Sequence, residues 1–137
     1  MIQILASEKG EGKTKKLLEM ANDLVKKVDG HIVYIDDDKR NMYDLQIGIR
    51  FVETSGFVMK NLEVLFGFVC GILSQDSDVE KIFVDGLHNI VKEIDNDSLT
   101  AFLGEVEKLS KEANVDFIMS ISDKVSDLPD KVKEYII

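Results

Sequence analysis

Apolar and polar positions along this chain follow two rhythms, one of period two and one near 3.6, and the rhythms take turns. Ile2 to Ala6 is a short apolar run that reads as a strand. Behind a Gly-bearing turn, Leu17, Leu18, Ala21, Leu24, Val25 and Val28 recur at helical spacing, with Lys15, Lys16, Glu19, Lys26 and Lys27 on the other face. Gly30 stands where a left-handed residue would end that helix. His31 to Ile35 is β-branched and aromatic, as a buried strand requires. Residues 39–46 read as loop or a weak turn of helix, and 47–53 as a short strand centred on Ile49 to Val52. Thr54, Ser55 and Gly56 break the pattern, and a helix apolar nearly all round is predicted over 57–73. A polar link, 74–80, leads to a strand from Lys81 to Val84. Asn96, Asp97 and Ser98 offer caps for an amphipathic helix over 99–113, which Asn114 can close. Val115 to Ser122 is a further strand, Pro129 precedes a short helix, and residues 134–137 predict a last short strand.

Strands alternating with helices imply an α/β fold, a mainly parallel sheet of about five or six strands with helices on both faces. The 137 residues, 45% of them hydrophobic, suffice for one domain with a real core, spanning 1–137. A formal charge of −9, with Arg40 and Arg50 the only arginines and no basic stripe, argues against direct nucleic-acid binding. Cys70 lies inside an apolar run and reads as a small core residue. The longest apolar run, Val64 to Leu73, is too short to span a bilayer, and the chain begins on a strand instead of a signal peptide. The expectation is a cytoplasmic protein with no membrane contact.

The first strand breaks into Ser7-Glu8-Lys9-Gly10-Glu11-Gly12-Lys13-Thr14, and the helix starts at once behind it. That order suits a phosphate cradle: glycines let the backbone approach an anion, and free N–H groups at the helix start point at it. The stretch resembles the Walker A motif of the P-loop NTPases, with Gly12, Lys13 and Thr14 at consensus positions and Ser7 where the motif's first glycine falls. The resemblance implies a three-layer P-loop fold, with nucleotide phosphates bound by Lys9, Gly10, Glu11, Gly12, Lys13 and Thr14. The strand ending in Asp85 resembles the Walker B pattern and implies Mg²⁺ held between Thr14 and Asp85.

Within that group, Tyr34-Ile35-Asp36-Asp37-Asp38 resembles the strand of RecA-like ATPases that ends Ile-Asp-x-Glu, with Asp38 at the position of the water-activating glutamate. The helix and strand from Val106 to Ser122 are similar to the helix and sensor strand of RecA-like and DnaB-like proteins. The resemblance implies a slow Mg²⁺-dependent ATPase, with Asp38 or Asp36 activating water and Ser120 or Ser122 sensing the γ-phosphate. It also implies that the 115–121 strand lies between the strands 2–6 and 81–85. The rival resemblance is to the ParA/MinD group, which Asp36 and Asp38 match, although Glu8 replaces that group's signature lysine and its two motif strands are neighbours. A nucleotide-binding interaction module without turnover is the alternative from another class, and a nucleotide kinase ranks third. No guanine-specificity motif of the Asn-Lys-x-Asp type occurs, which favours ATP. The surplus apolar surface of the 57–73 helix predicts a homo-oligomer or protein partner there, unless the 39–48 loop folds over it.

Overall fold

A five-stranded, all-parallel sheet organises the computed structural model, which describes all 137 residues. Its strands are β1 (Ile2–Ser7), β2 (His31–Asp36), β3 (Ile49–Glu53), β4 (Val79–Val84) and β5 (Asp116–Ser122), in the spatial order β1-β5-β4-β2-β3. β5 therefore separates β1 from β4. The chain's end runs along the free edge of β1: Ile4 N–H donates to Tyr135 O at 2.8 Å and Ile137 N–H to Ile4 O at 3.0 Å. This is an isolated bridge, not the full last strand expected over 134–137.

Side chains alternate between two cores, as period two demands. Ile32, Tyr34, Phe83 and Ile118 face α1 (Lys13–Leu24) and pack on its Leu17 and Ala21. Val33, Ile35, Ile82, Val84, Phe117 and Met119 belong to the other core. That core is completed by α2 (Leu62–Gln75), α3 (Leu87–Ile90), α4 (Asn96–Ala113) and α5 (Asp130–Lys133). Each large side chain so buried contributes roughly 1.5–3 kcal/mol before chain entropy is charged against it. On the α1 side, Phe51, Tyr34 and Phe83 are register partners on β3, β2 and β4, and their rings stack at centroid distances of 6.3 and 5.8 Å.

The apolar helix begins later than its composition predicts. Residues 57–60 are not helical, because the carbonyls of Met59 and Lys60 accept from Lys92 N–H and Glu93 N–H at 3.3 and 3.2 Å. The helix starts after Asn61, an extended residue whose side chain accepts from Val64 N–H at 3.0 Å. The 39–48 loop does not cover it either. Asn22 on α1 holds that loop, donating to Asp44 O at 2.9 Å and accepting from Gln46 N–H at 2.8 Å. Phe57 and Val58 remain 61% and 79% exposed.

Gly30 does not terminate α1, which ends at Leu24, nor is it left-handed. A Cβ there would collide with the Asp78 carbonyl and the Glu80 side chain, so the position needs smallness. β4 starts at Val79, two residues before the expected Lys81, because Val79 pairs with His31. α4 starts under Asp95, which forms a capping box with Ser98, and Asn114 closes it at φ 56° as its composition implies. No helix is long and apolar enough to cross a membrane.

Candidate functional site

All five strands run the same way, so their carboxyl ends share one edge of the sheet, where ligands of α/β folds bind. The turn after β1 lies on that edge. Gly10 and Gly12 adopt φ 89° and 82°, left-handed conformations that a residue with a Cβ reaches only with strain. Nothing lies within 4 Å of where either Cβ would be, so conformation, not crowding, requires glycine. Gly12 is the N-cap of α1 and no side chain caps that helix. Its first N–H groups and the positive end of its dipole therefore face the turn. Lys9, Gly10 and Glu11 form the exposed apex.

Lys13 folds back across this turn. Its Nζ donates to Ser7 O at 2.8 Å, Glu8 O at 2.9 Å and Ser7 Oγ at 3.3 Å. Partial burial holds its pKa below the usual lysine value, while the charges of Glu11 and Asp85 pull the other way. Ser7, standing where a glycine is expected, thus supplies both a carbonyl and a hydroxyl to the ammonium. A second tie, Lys124 Nζ to Glu8 Oε1 at 3.3 Å, joins the turn to the segment after β5.

Behind the turn, Asp85 gathers three hydroxyls. Thr14 Oγ1 donates to its Oδ1 at 3.1 Å, Ser120 Oγ to the same oxygen at 3.2 Å, and Tyr34 Oη to Oδ2 at 2.8 Å. Asp85 is 4% exposed, and Ser120 and Tyr34 are buried more fully still. Gly86 N–H donates to Ser120 Oγ at 2.7 Å, and Asp85 N–H to Ile35 O at 2.8 Å, so the backbone fixes the cluster as well. Burial and the carboxylate raise the Tyr34 pKa far above its ordinary value, which keeps the phenol a donor. Thr14 spends its hydrogen on Asp85 and leaves its lone pairs free. A hydroxyl beside a carboxylate is a hard-oxygen donor set suited to Mg²⁺.

The carboxylates after β2 divide. Asp36 is buried, its Oδ1 accepts from Asp37 N–H at 2.7 Å, and its backbone carbonyl accepts from Thr54 N–H at 2.9 Å. Burial, then the Asp37 carboxyl, then the charge of Asp85 push its pKa up to about 7. Asp38 instead turns to Arg40, accepting from its backbone N–H at 2.9 Å and from its guanidinium at 2.7 Å. That pairing, led by the side-chain hydrogen bond, holds the Asp38 carboxyl below its usual range. Of the two expected catalytic residues, then, Asp36 feels the charge of Asp85 while Asp38 is bound to a cation of its own. Ser122, at the end of β5, is the register partner of Ser7, and His88 is exposed.

Tyr34 is the member of this cluster that sequence reading missed. It is the sole hydrogen-bonding side chain in the run from Ile32 to Ile35, and strand parity puts it on the face of Phe83. At the opposite edge, His31, Asp76 and Asp78 bring ligand atoms within 4.8 Å of one another. Arg50 already pairs with Asp76 there at 3.2 Å, and the group ties β2 and β3 to the turn after α2. No protein-family model matches the chain and no curated protein matches it. The fold and site define an α/β protein with an uncapped helix, a lysine and a buried hydroxyl-bound carboxylate at the carboxyl edge of a parallel sheet.

Proposed function

We propose that this protein binds Mg-ATP at residues 9–14 and hydrolyses it slowly, as the RecA-like ATPase core of the P-loop NTPases does. The observation that carries the reading is the Thr14–Asp85 hydrogen bond at 3.1 Å, which joins the helix start to the end of β4. Phosphates would take the free N–H groups of the turn, and Lys13 would exchange its loop carbonyls for phosphate oxygens. Thr14 and Asp85 would hold Mg²⁺, which would neutralise charge developing on the transferred phosphoryl group. Asp36, whose carboxyl feels the charge of Asp85 and is not claimed by a cation, is the candidate of the two to orient water. The insertion of β5 between β1 and β4 supports the RecA-like arrangement over the ParA/MinD one, in which the two motif strands touch.

One observation favours a second reading, in which nucleotide binds without turnover: the Asp38 carboxylate is bound by Arg40. Titrating Mg-ATP into the wild type and Lys13→Ala, followed by a phosphate-release assay, tests both. The reading expects saturable binding that Lys13→Ala weakens at least about tenfold, since a hydrogen-bonded charge contributes roughly 1.5–3 kcal/mol. Equal affinity in the two proteins would sink the assignment, and binding without phosphate release would select the second reading.

The proposal also keeps a protein partner or second copy on the outer side of α2. That helix carries no charge from Val64 to Gln75; its Phe66, Phe68, Ile72 and Leu73 pack partly on the core, and its exposed positions are Glu63, Val64, Gly67, Gly71, Ser74 and Gln75, with the exposed Phe57 against Phe68. Light scattering over a concentration series, with Val64→Glu beside the wild type, tests it. A wild type monomeric throughout, with and without nucleotide, removes self-association.

A further inference from the structure

Between the first turns of α2 and α4 lies a groove of about 840 Å³ that shares no residue with the phosphate turn. Its apolar surface comes from the half-buried Phe66 and Ile94 and the exposed Ala101, backed by the buried Leu62 and Phe102. Its rim is acidic. Glu63, Glu93 and Glu105 stand around it against the single Lys92, and neither Glu63 nor Glu93 meets a cation. Asp95 also lines the groove, but its carboxylate is committed to capping α4. The base is rigid, since Asn61 bridges to Glu93 and the backbones of 59–60 and 92–93 are hydrogen-bonded.

An apolar trough between helices, rimmed by carboxylates without partners, complements a helix that is apolar on one stripe and cationic beside it. We propose that this groove docks a basic amphipathic helix of another protein, with Leu- or Phe-type anchors against Phe66, Ile94 and Ala101 and Lys or Arg against Glu63 and Glu93. The apolar surface distinguishes such a partner from a polyamine or an unstructured basic tail, which would use the rim alone. The docking does not depend on nucleotide binding at the turn after β1.

The probe is a labelled Leu/Lys peptide of about 18 residues, apolar at i, i+3, i+4 and i+7, titrated by fluorescence anisotropy near 0.15 M salt. A Leu/Glu peptide of the same pattern and a Ser/Lys peptide of the same charge serve as controls. The expected result is saturable binding of the Leu/Lys peptide alone, weakened at least about tenfold by Glu63→Lys/Glu93→Lys and by Ala101→Trp. Glu19→Lys/Glu112→Lys, at exposed sites outside the groove, should change affinity by less than about twofold. Circular dichroism of each variant checks that the fold is kept, and Ala101 and both rim glutamates are exposed enough to be replaced without disturbing the core. No binding by the wild type overturns the proposal. So does equal weakening by the distant charge pair, or equal binding of the Ser/Lys peptide, because either outcome reports only the chain's net charge.

Discussion

Thr14 and Asp85 are 71 residues apart in the chain and 3.1 Å apart in space. The contact orients the threonine: its hydrogen points to the carboxylate, so its lone pairs point away from it. On the proposed Mg-ATP reading, removing the hydroxyl should therefore cost the metal more than the phosphates. In Thr14→Ala, Mg²⁺ should lose its enhancement of ATP affinity by about tenfold or more, while the weak Mg²⁺-free affinity stays within about twofold. Calorimetric titrations with Mg²⁺ and with chelator separate the two quantities. A variant in which both fall equally would place the metal elsewhere.

Tyr34 and Asp85 make the complementary case, because here the expected effect is on stability. Tyr34 Oη is buried, and Oδ2 of Asp85 accepts from it at 2.8 Å with no other donor to that oxygen. Tyr34→Phe keeps the ring between Phe51 and Phe83 but deprives a buried carboxylate oxygen of its donor. The expected loss is about 1.5–3 kcal/mol in urea unfolding at neutral pH. Tyr135→Phe, which removes a hydroxyl bonded to Glu107 on a half-buried site, should lose less than about 1 kcal/mol. Equal losses would show that Asp85 does not depend on Tyr34.

The strands and both glycines of the turn were legible because each rests on local chemistry. β2 and β5 are mostly apolar strands covered on both faces, and Gly10 and Gly12 stand in a turn that needs positive φ. What escaped was set by partners far along the chain. Residues 57–60 have helical composition, yet the carbonyls of Met59 and Lys60 are taken by the N–H groups of Lys92 and Glu93. Gly30 looks like a helix terminator because helix ends favour glycine, but its reason is the close approach of Asp78, far along the chain. Asp38 fits a motif by spacing, and only the fold shows that the neighbouring Arg40 claims it. Walker-like spacing points to Thr14 and Asp85, whereas Tyr34 joins them through strand register alone.

The two kinds of glycine give opposite expectations for alanine. At Gly12 an added Cβ meets no atom, so Gly12→Ala bears only the left-handed backbone, about 1–2 kcal/mol. At Gly30 the backbone is permissive, but the Cβ would collide with the Asp78 carbonyl, which pairs with His31 N–H and cannot move freely. Gly30→Ala should therefore cost more than Gly12→Ala, about 2–3 kcal/mol, the upper part of the range that overpacking costs. Gly12→Ala should weaken ATP binding as well, and Gly30→Ala, at the far edge of the sheet, should not. Paired unfolding and binding curves for both variants check the two orders together. A Gly12→Ala protein less stable than Gly30→Ala would reverse the assignment of their roles.

Asp36 predicts how stability follows pH. Its carboxyl titrates near 7 in the folded protein, raised by burial, by the Asp37 carboxyl and by the charge of Asp85. In the unfolded chain an aspartate titrates near about 3.9. Between about pH 4 and 7 the folded state thus holds a proton that the unfolded state has lost. Unfolding releases it, so this group's contribution to stability is present at low pH and lost as pH rises through that window. Asp76 acts in the other sense. Its carboxyl is lowered, chiefly by the hydrogen bond from His31, so its contribution is present above the ordinary value and lost in acid below it. The windows lie on opposite sides of about pH 4, and Asp36→Asn removes only the upper one. Denaturation midpoints measured from about pH 4.5 to 7.5 in chelator should fall with pH in the wild type relative to Asp36→Asn, the variant being the more stable at the upper end. Parallel pH profiles in the two proteins would mean that Asp36 is already ionised throughout, and that the Asp36–Asp85 pair bears its mutual repulsion without help from a proton.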